Sequence, residues 1–313
     1  MISCTEFIPA YSELFTYLDN KYGRPEVERF WTYLFKPTGE GIPLINFLKK
    51  DGLRGAWDYW KGTLTEEAAD VTKYMKEEEG WIFSEMHYCP SKGRLLELEK
   101  EIGIKPYYDY CGHCDYYRAA LEKVGLCWIR NHAHVDKAQC ESLIYDPKVF
   151  KGIMTHDDKV EKLEVSSKDT EYFHRDFHSS LNMGIDFVAS EHGLDSLNEF
   201  LEMYTRDVYK PVIDEMKTVG AIKAIENSIT KTYTLEKSLD VLHIESDCEN
   251  LKVKIDYCPA VKHLHDTGRR VSDWFRYSTE TVMKTLADIG ELEFTMISYD
   301  DASGAAEYSF KKT

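Results

Sequence analysis

Positive charge is the first thing this sequence is short of. Its 39 Lys and Arg residues face 55 Asp and Glu, for a net charge of −16. Nucleic acid and anionic membrane both demand a basic footprint, so neither is expected as a partner. Long apolar runs are missing too: nothing approaches the ~18 residues that a membrane-spanning helix needs. The opening Met1-Ile2-Ser3-Cys4-Thr5-Glu6 lacks a basic stretch followed by an apolar core, so a cytoplasmic protein is expected. The patterns G-x-G-x-x-G, G-x-S-x-G and H-E-x-x-H and the phosphate loop are also absent. With them go the usual sequence signatures of nucleotide binding, serine hydrolysis and zinc proteolysis.

What is present is a folded chain of 313 residues, 43% hydrophobic and 30% charged, long enough for two ordinary domains. Its first 70 residues read as helices. Ile8, Tyr11, Leu14, Phe15 and Leu18 have helical spacing, and Gly23-Arg24-Pro25 ends one helix and starts the next. Val27, Phe30, Trp31 and Leu34 form an apolar stripe. A short helix is broken at Asp51-Gly52, and a longer one follows with Trp57, Tyr59, Trp60, Glu66 and Glu67. Residues 71–89 read as a hairpin turning at Glu77-Glu78-Glu79-Gly80, residues 108–124 as a helix and residues 126–145 as a second hairpin.

The pattern then recurs. Tyr22-Gly23 matches His192-Gly193, 170 positions on; Glu67 matches Glu236 and Tyr88-Cys89-Pro90 matches Tyr257-Cys258-Pro259, both 169 positions on. The expectation is an α+β fold made by tandem duplication of a unit ordered helices, β-hairpin, helix, β-hairpin, with units at 1–149 and 169–313. In the second unit Val253, Ile255 and Tyr257 face the core. The offset assigns Ser84, Met86 and Tyr88 to that face in the first unit, and Glu85, His87 and Cys89 to the other. The oligomer is expected to be a monomeric pseudo-dimer or a homodimer.

Six of the eight cysteines lie in the first 140 residues, and three of them (Cys89, Cys111, Cys114) fall with His113 between Tyr88 and Cys114. A helix beginning near Tyr110 sets Cys111 and Cys114 on one face of its first turn, where the dipole favours thiolate. Three readings stand. Cys89, Cys111 and Cys114 bind Zn or Fe; Cys111 or Cys114 is a nucleophile or redox thiol; or the thiols are small core residues among aromatics. In the second unit Arg276, Ser278 and Thr279 stand opposite Cys111, His113 and Cys114, so the first unit is expected to carry the site. Glu67, late on an aromatic-rich helix, is a candidate general acid or base. His174 and His178 are four apart and form a second candidate metal pair on one helical face.

The run Glu85-Met86-His87-Tyr88-Cys89-Pro90-Ser91-Lys92-Gly93, then Asp109-Tyr110-Cys111-Gly112-His113-Cys114 and Ala138-Gln139-Cys140, resembles the 2-amino-thiazoline-4-carboxylate hydrolase family. More distantly, the closing helix and hairpin resemble small-molecule-binding domains of the vinyl-reductase type. The first resemblance implies hydrolytic opening of a cyclic C=N bond. Glu67 is then the base, with Cys89, Cys111 and His113 in catalysis or the thiols as metal ligands. Lys92 and Arg94, with Trp57, hold the substrate. The expected function is therefore hydrolysis of a C–N bond in a small heterocyclic or amidine-like substrate. The alternative is a protein that binds a small ligand, metal or cofactor without turnover.

Overall fold

The computed structural model describes residues 1–35 and 43–313. The fold is α+β, with helices and two separate antiparallel sheets. The first half runs α1 (Phe7–Tyr22), α2 (Arg24–Leu34), α3 (Leu44–Glu66), β1 (Asp70–Lys76), β2 (Trp81–Tyr88), α4 (Pro90–Ile102), a 3-10 helix (Tyr110–Tyr117), α5 (Arg118–Lys123), β3 (Cys127–His134), β4 (Gln139–Tyr145) and β5 (Glu161–Val165). The second runs α6 (Phe177–His192), α7 (Leu194–Val208), α8 (Lys210–Val219), α9 (Ala221–Leu235), β6 (Leu242–Ser246), β7 (Asn250–Ile255), α10 (Pro259–Asp266), α11 (Tyr277–Ile289), β8 (Leu292–Tyr299) and β9 (Ala306–Lys312).

The sheets are ordered β3-β4-β2-β1-β5 and β6-β7-β9-β8. Reversed, the second is β8-β9-β7-β6, the order of the first without its edge strand β5. The two sheets therefore share one strand order. Packing divides the chain differently from the repeat. Residues 1–17 belong to one compact unit with 175–313, and residues 18–174 form the other. The expected boundaries of 1–149 and 169–313 differ from these packing units.

Local causes are plain. Asp51 and Gly52 leave helical geometry inside α3, Gly52 with φ 54°, which kinks it where the sequence predicts a break. Glu67 and Glu236 each cap the C-terminus of the helix before a hairpin, and each is followed by a left-handed residue, Ala68 at φ 51° and Lys237 at φ 55°. Three elements are additions to the expected order: α4 follows Cys89 directly, α10 follows Cys258 in the same way, and β5 pairs with β1 at the sheet edge. Cys89-Pro90 is an N-cap followed by proline at the first helical position, and the Cys89 thiol accepts the Lys92 N–H at 3.5 Å.

Directly opposed residues on neighbouring strands point to one face of a sheet. In the 18–174 unit, Met75, Ile82, Ile144 and Trp128 form such a row, and α3 and α5 cover it with Trp57, Tyr59 and Leu121. Ser84 and Met86 follow Ile82 on that face, as the sequence reading has it.

Candidate functional site

The next row on the same face is Lys73, Ser84, Ser142 and Arg130. In the other unit the row through Val253, which matches Ser84, is Ile244, Val253, Tyr308 and Met296. One sheet order thus carries two chemistries, apolar in one unit and polar, with a cation at each end, in the other. Core burial gives no reason to place Lys and Arg there, so the polar row is the candidate site.

The 3-10 helix carries the thiols to this row. It has three residues per turn, so Cys111 and Cys114 eclipse each other, as do Tyr110 and His113. The expected shared face is present, though the helix is of the tighter type. Its start is anchored by Arg24, which pairs with Asp109 at 2.6 Å, and by Tyr107, which donates to Asp19 at 2.7 Å. Gly112 sits against Asp109, whose Oδ2 would lie 2.5 Å from an added Cβ.

His113 lies against the rings of Tyr110, Phe35 and Trp31. Its Nδ1 bonds the Tyr110 carbonyl, which can only accept, so Nδ1 carries the proton. Nε2 is left facing Cys114 Sγ at 3.5 Å. Burial opposes the Cys114 thiolate, but the charges of His113 and Arg130 and a hydrogen bond from each outweigh it and bring the thiol down to about 6. Burial also works against charging His113. The Cys114 thiolate and the Tyr110 carbonyl overcome it and hold the imidazole above its ordinary range.

The other thiols behave differently. Burial pushes Cys111 up to about 12, with Cys114 adding to it and Lys92 opposing. Burial also raises Cys89, helped by Cys114, Cys111 and Cys140. Cys140, opposite Met86, accepts from Arg130 at 3.6 Å. All eight cysteines are free. Of the residues expected to act, burial favours the thiol form of Cys89 and Cys111, while the charges of His113 and Arg130 favour the thiolate of Cys114.

Glu67 joins them electrostatically. Burial raises its carboxyl above the usual range, against the charges of His174, Arg94 and His113. Arg94 stacks on Tyr172 at 3.3 Å from the ring centre, and its buried Nε has no hydrogen-bond partner among the described residues. Lys92 and Arg94 thus act on Cys111 and Glu67 respectively. Trp57 lies instead in the apolar core, its ring 5.1 Å from the Lys73 ammonium.

The metal readings meet specific geometry. Among the described residues, Cys89, Cys111 and Cys114 do not form a group whose donor atoms all lie within 4.8 Å of one another; the one such trio is Cys4, His178 and Glu236. His174 and His178 do not share a helical face. Helix α6 begins at Phe177, so His174 precedes it and bonds Glu66 at 2.6 Å, while His178 bonds Glu236 at 3.1 Å.

No family model, curated protein or solved structure matches the chain. No helix among the described residues is long and apolar enough to cross a membrane.

Arg130 is the site residue that sequence reasoning missed. Its signal was alternation: Trp128 and Arg130 are two apart on β3, so they share the inward face.

Proposed function

We propose that the chain is a hydrolase acting on a C–N bond of a small heterocyclic or amidine-like substrate, with Cys114 as nucleophile. The observation that carries this is the His113–Cys114 pair, in which Nδ1 is tied to a carbonyl and Nε2 faces the sulfur at 3.5 Å.

Cys114 Sγ adds to the carbon of the C=N group, and the C–N π pair moves onto nitrogen. His113 Nε2 gives its proton to the leaving nitrogen, the C–N σ bond breaks and the carbon remains bonded to sulfur. Water then loses a proton to Nε2 and adds to that carbon. The C–S bond breaks as the C=O bond forms, the hydroxyl proton passes to the Glu67 carboxylate, and thiolate, imidazolium and the Glu67 acid are all restored. Arg130 stabilises the sulfur anion in both halves. Glu67, whose carboxyl burial raises above its usual range, donates to the nitrogen that stays on the carbon. Arg94, with an unpartnered buried N–H, suits an acceptor on the substrate.

The test is a screen of amidines, guanidines and cyclic isothioureas, with mass spectrometry of protein quenched during turnover. A substrate-derived mass on Cys114 and at least a ~100-fold loss of turnover in Cys114→Ser support the reading. Binding without turnover across the panel favours a ligand-binding protein, and full activity in Cys114→Ser removes Cys114 as nucleophile.

A further inference from the structure

The unit formed by residues 1–17 and 175–313 holds a cluster that the thiol site does not use. Cys4 lies just ahead of α1, His178 in the first turn of α6, and Glu236 at the C-cap of α9. All three are buried, none more than 1% exposed. One donor atom from each lies within 4.8 Å of the others. A tetrahedral ion with bonds of about 2.0–2.3 Å spaces its donors roughly 3.3–3.8 Å apart, so modest contraction closes the cluster on an ion.

Two further observations point to a ligand. First, His178 Nε2 and Glu236 Oε2 face each other at 3.1 Å, a spacing at which one ion can bind both. Nδ1, on the far side of the ring, is buried with no hydrogen-bond partner among the described residues, so no second hydrogen bond holds the imidazole in that orientation. Second, Glu236 Oε1 is fixed by the Cys4 N–H at 2.6 Å. One carboxylate thereby holds both other members in place before any ion arrives.

We propose that Cys4, His178 and Glu236 form a site for a single zinc-class divalent cation. A thiolate, a neutral imidazole and a carboxylate together carry two negative charges, which offset the ion in a region closed to water. Sulfur with nitrogen and one oxygen suits Zn²⁺ or Co²⁺ over Mg²⁺ or Ca²⁺, which take oxygen sets. At the 170 offset Cys4 matches His174 of the other unit, and His178 matches Ile8 of this same unit, so the donor set is not repeated.

The test uses the full chain, stripped with chelator and titrated with Co²⁺ alone. The expected result is one equivalent bound, with a thiolate-to-cobalt charge-transfer band that Zn²⁺ abolishes. The band is lost in Cys4→Ser and in Glu236→Gln and kept in Cys114→Ser. X-ray absorption of zinc-loaded wild type needs no variant to fold: one sulfur and at least two nitrogen or oxygen neighbours support the site. Absence of stoichiometric binding, a band that survives in folded Cys4→Ser, or two or more sulfur neighbours overturns it. The last two results would move the ion to the thiol cluster around Cys114.

Discussion

His113 Nε2 faces Cys114 Sγ at 3.5 Å because Nδ1 is committed to the Tyr110 carbonyl three residues back. One turn of 3-10 helix therefore fixes the tautomer and aims the other nitrogen at the sulfur. With the thiol near 6, alkylation of Cys114 by iodoacetamide should climb through that pH, while Cys111, near 12, stays slow. Removing the Arg130 charge weakens the thiolate, so Arg130→Met should move the Cys114 midpoint upward by on the order of one pH unit. Mass mapping of alkylated peptides against pH reads both. An unmoved midpoint would leave His113 as the sole cause.

Glu67 should separate stability from activity. Its folded carboxyl titrates above its unfolded value because it is buried. The folded state then binds more protons in that window, so wild-type stability falls as pH rises through it. Glu67→Gln removes this slope. The variant should be more stable than wild type at pH 8, equal at pH 4, and roughly 100-fold slower on a hydrolysed substrate. Urea unfolding at both pH values, with turnover, checks the three together.

Gly93 should reverse the usual helix rule. Replacing a helical glycine by alanine ordinarily gains about 1 kcal/mol. Here an added Cβ would stand 2.3 Å from Tyr88 Cε1 and 2.5 Å from Cζ, and Tyr88 is held by Glu97 at 2.8 Å. Displacing that ring should cost Gly93→Ala about 1–3 kcal/mol. Chemical denaturation gives the sign directly.

Much of this was legible in the sequence, for physical reasons. Strand alternation put Ser84 and Met86 on the inner face, and Gly52 announced the kink in α3. The shared face of Cys111 and Cys114 survives the change from α to 3-10 geometry because a spacing of three suits both. What stayed hidden was long-range. Nothing local tells that Arg130 will share a row with Ser142, Ser84 and Lys73, since cross-strand register joins residues nearly 60 apart. Helix α4 was readable from Cys89-Pro90 as cap and first position, but the thiol drew attention as chemistry and hid its role as a cap. Nor does any local pattern assign residues 1–17 to the unit of 175–313, which brings Cys4 to Glu236.

Lys73, at the end of the polar row opposite Arg130, is the most exacting case. It is 1% exposed and makes no ion pair among the described residues; its ammonium lies 5.1 Å from the Trp57 ring and 5.9 Å from Trp60. Burial lowers it to about 7, with only Asp58 opposing. Between about 7 and the ordinary 10.5 the unfolded chain holds the extra proton, so stability should rise with pH across that window. That gap corresponds to on the order of 5 kcal/mol at most, of which the two indoles return ~1–2 kcal/mol. Lys73→Met, similar in length and apolar, should therefore be more stable than wild type by a few kcal/mol at pH 7, with the advantage gone above pH 10.5. Thermal unfolding across that range decides it. An apolar residue would satisfy the core better at this position, as Ile244 does in the corresponding row of the other sheet. A measured gain in stability would mean that the lysine is kept at a cost, and the reason would then lie in the chemistry of the row it shares with Arg130.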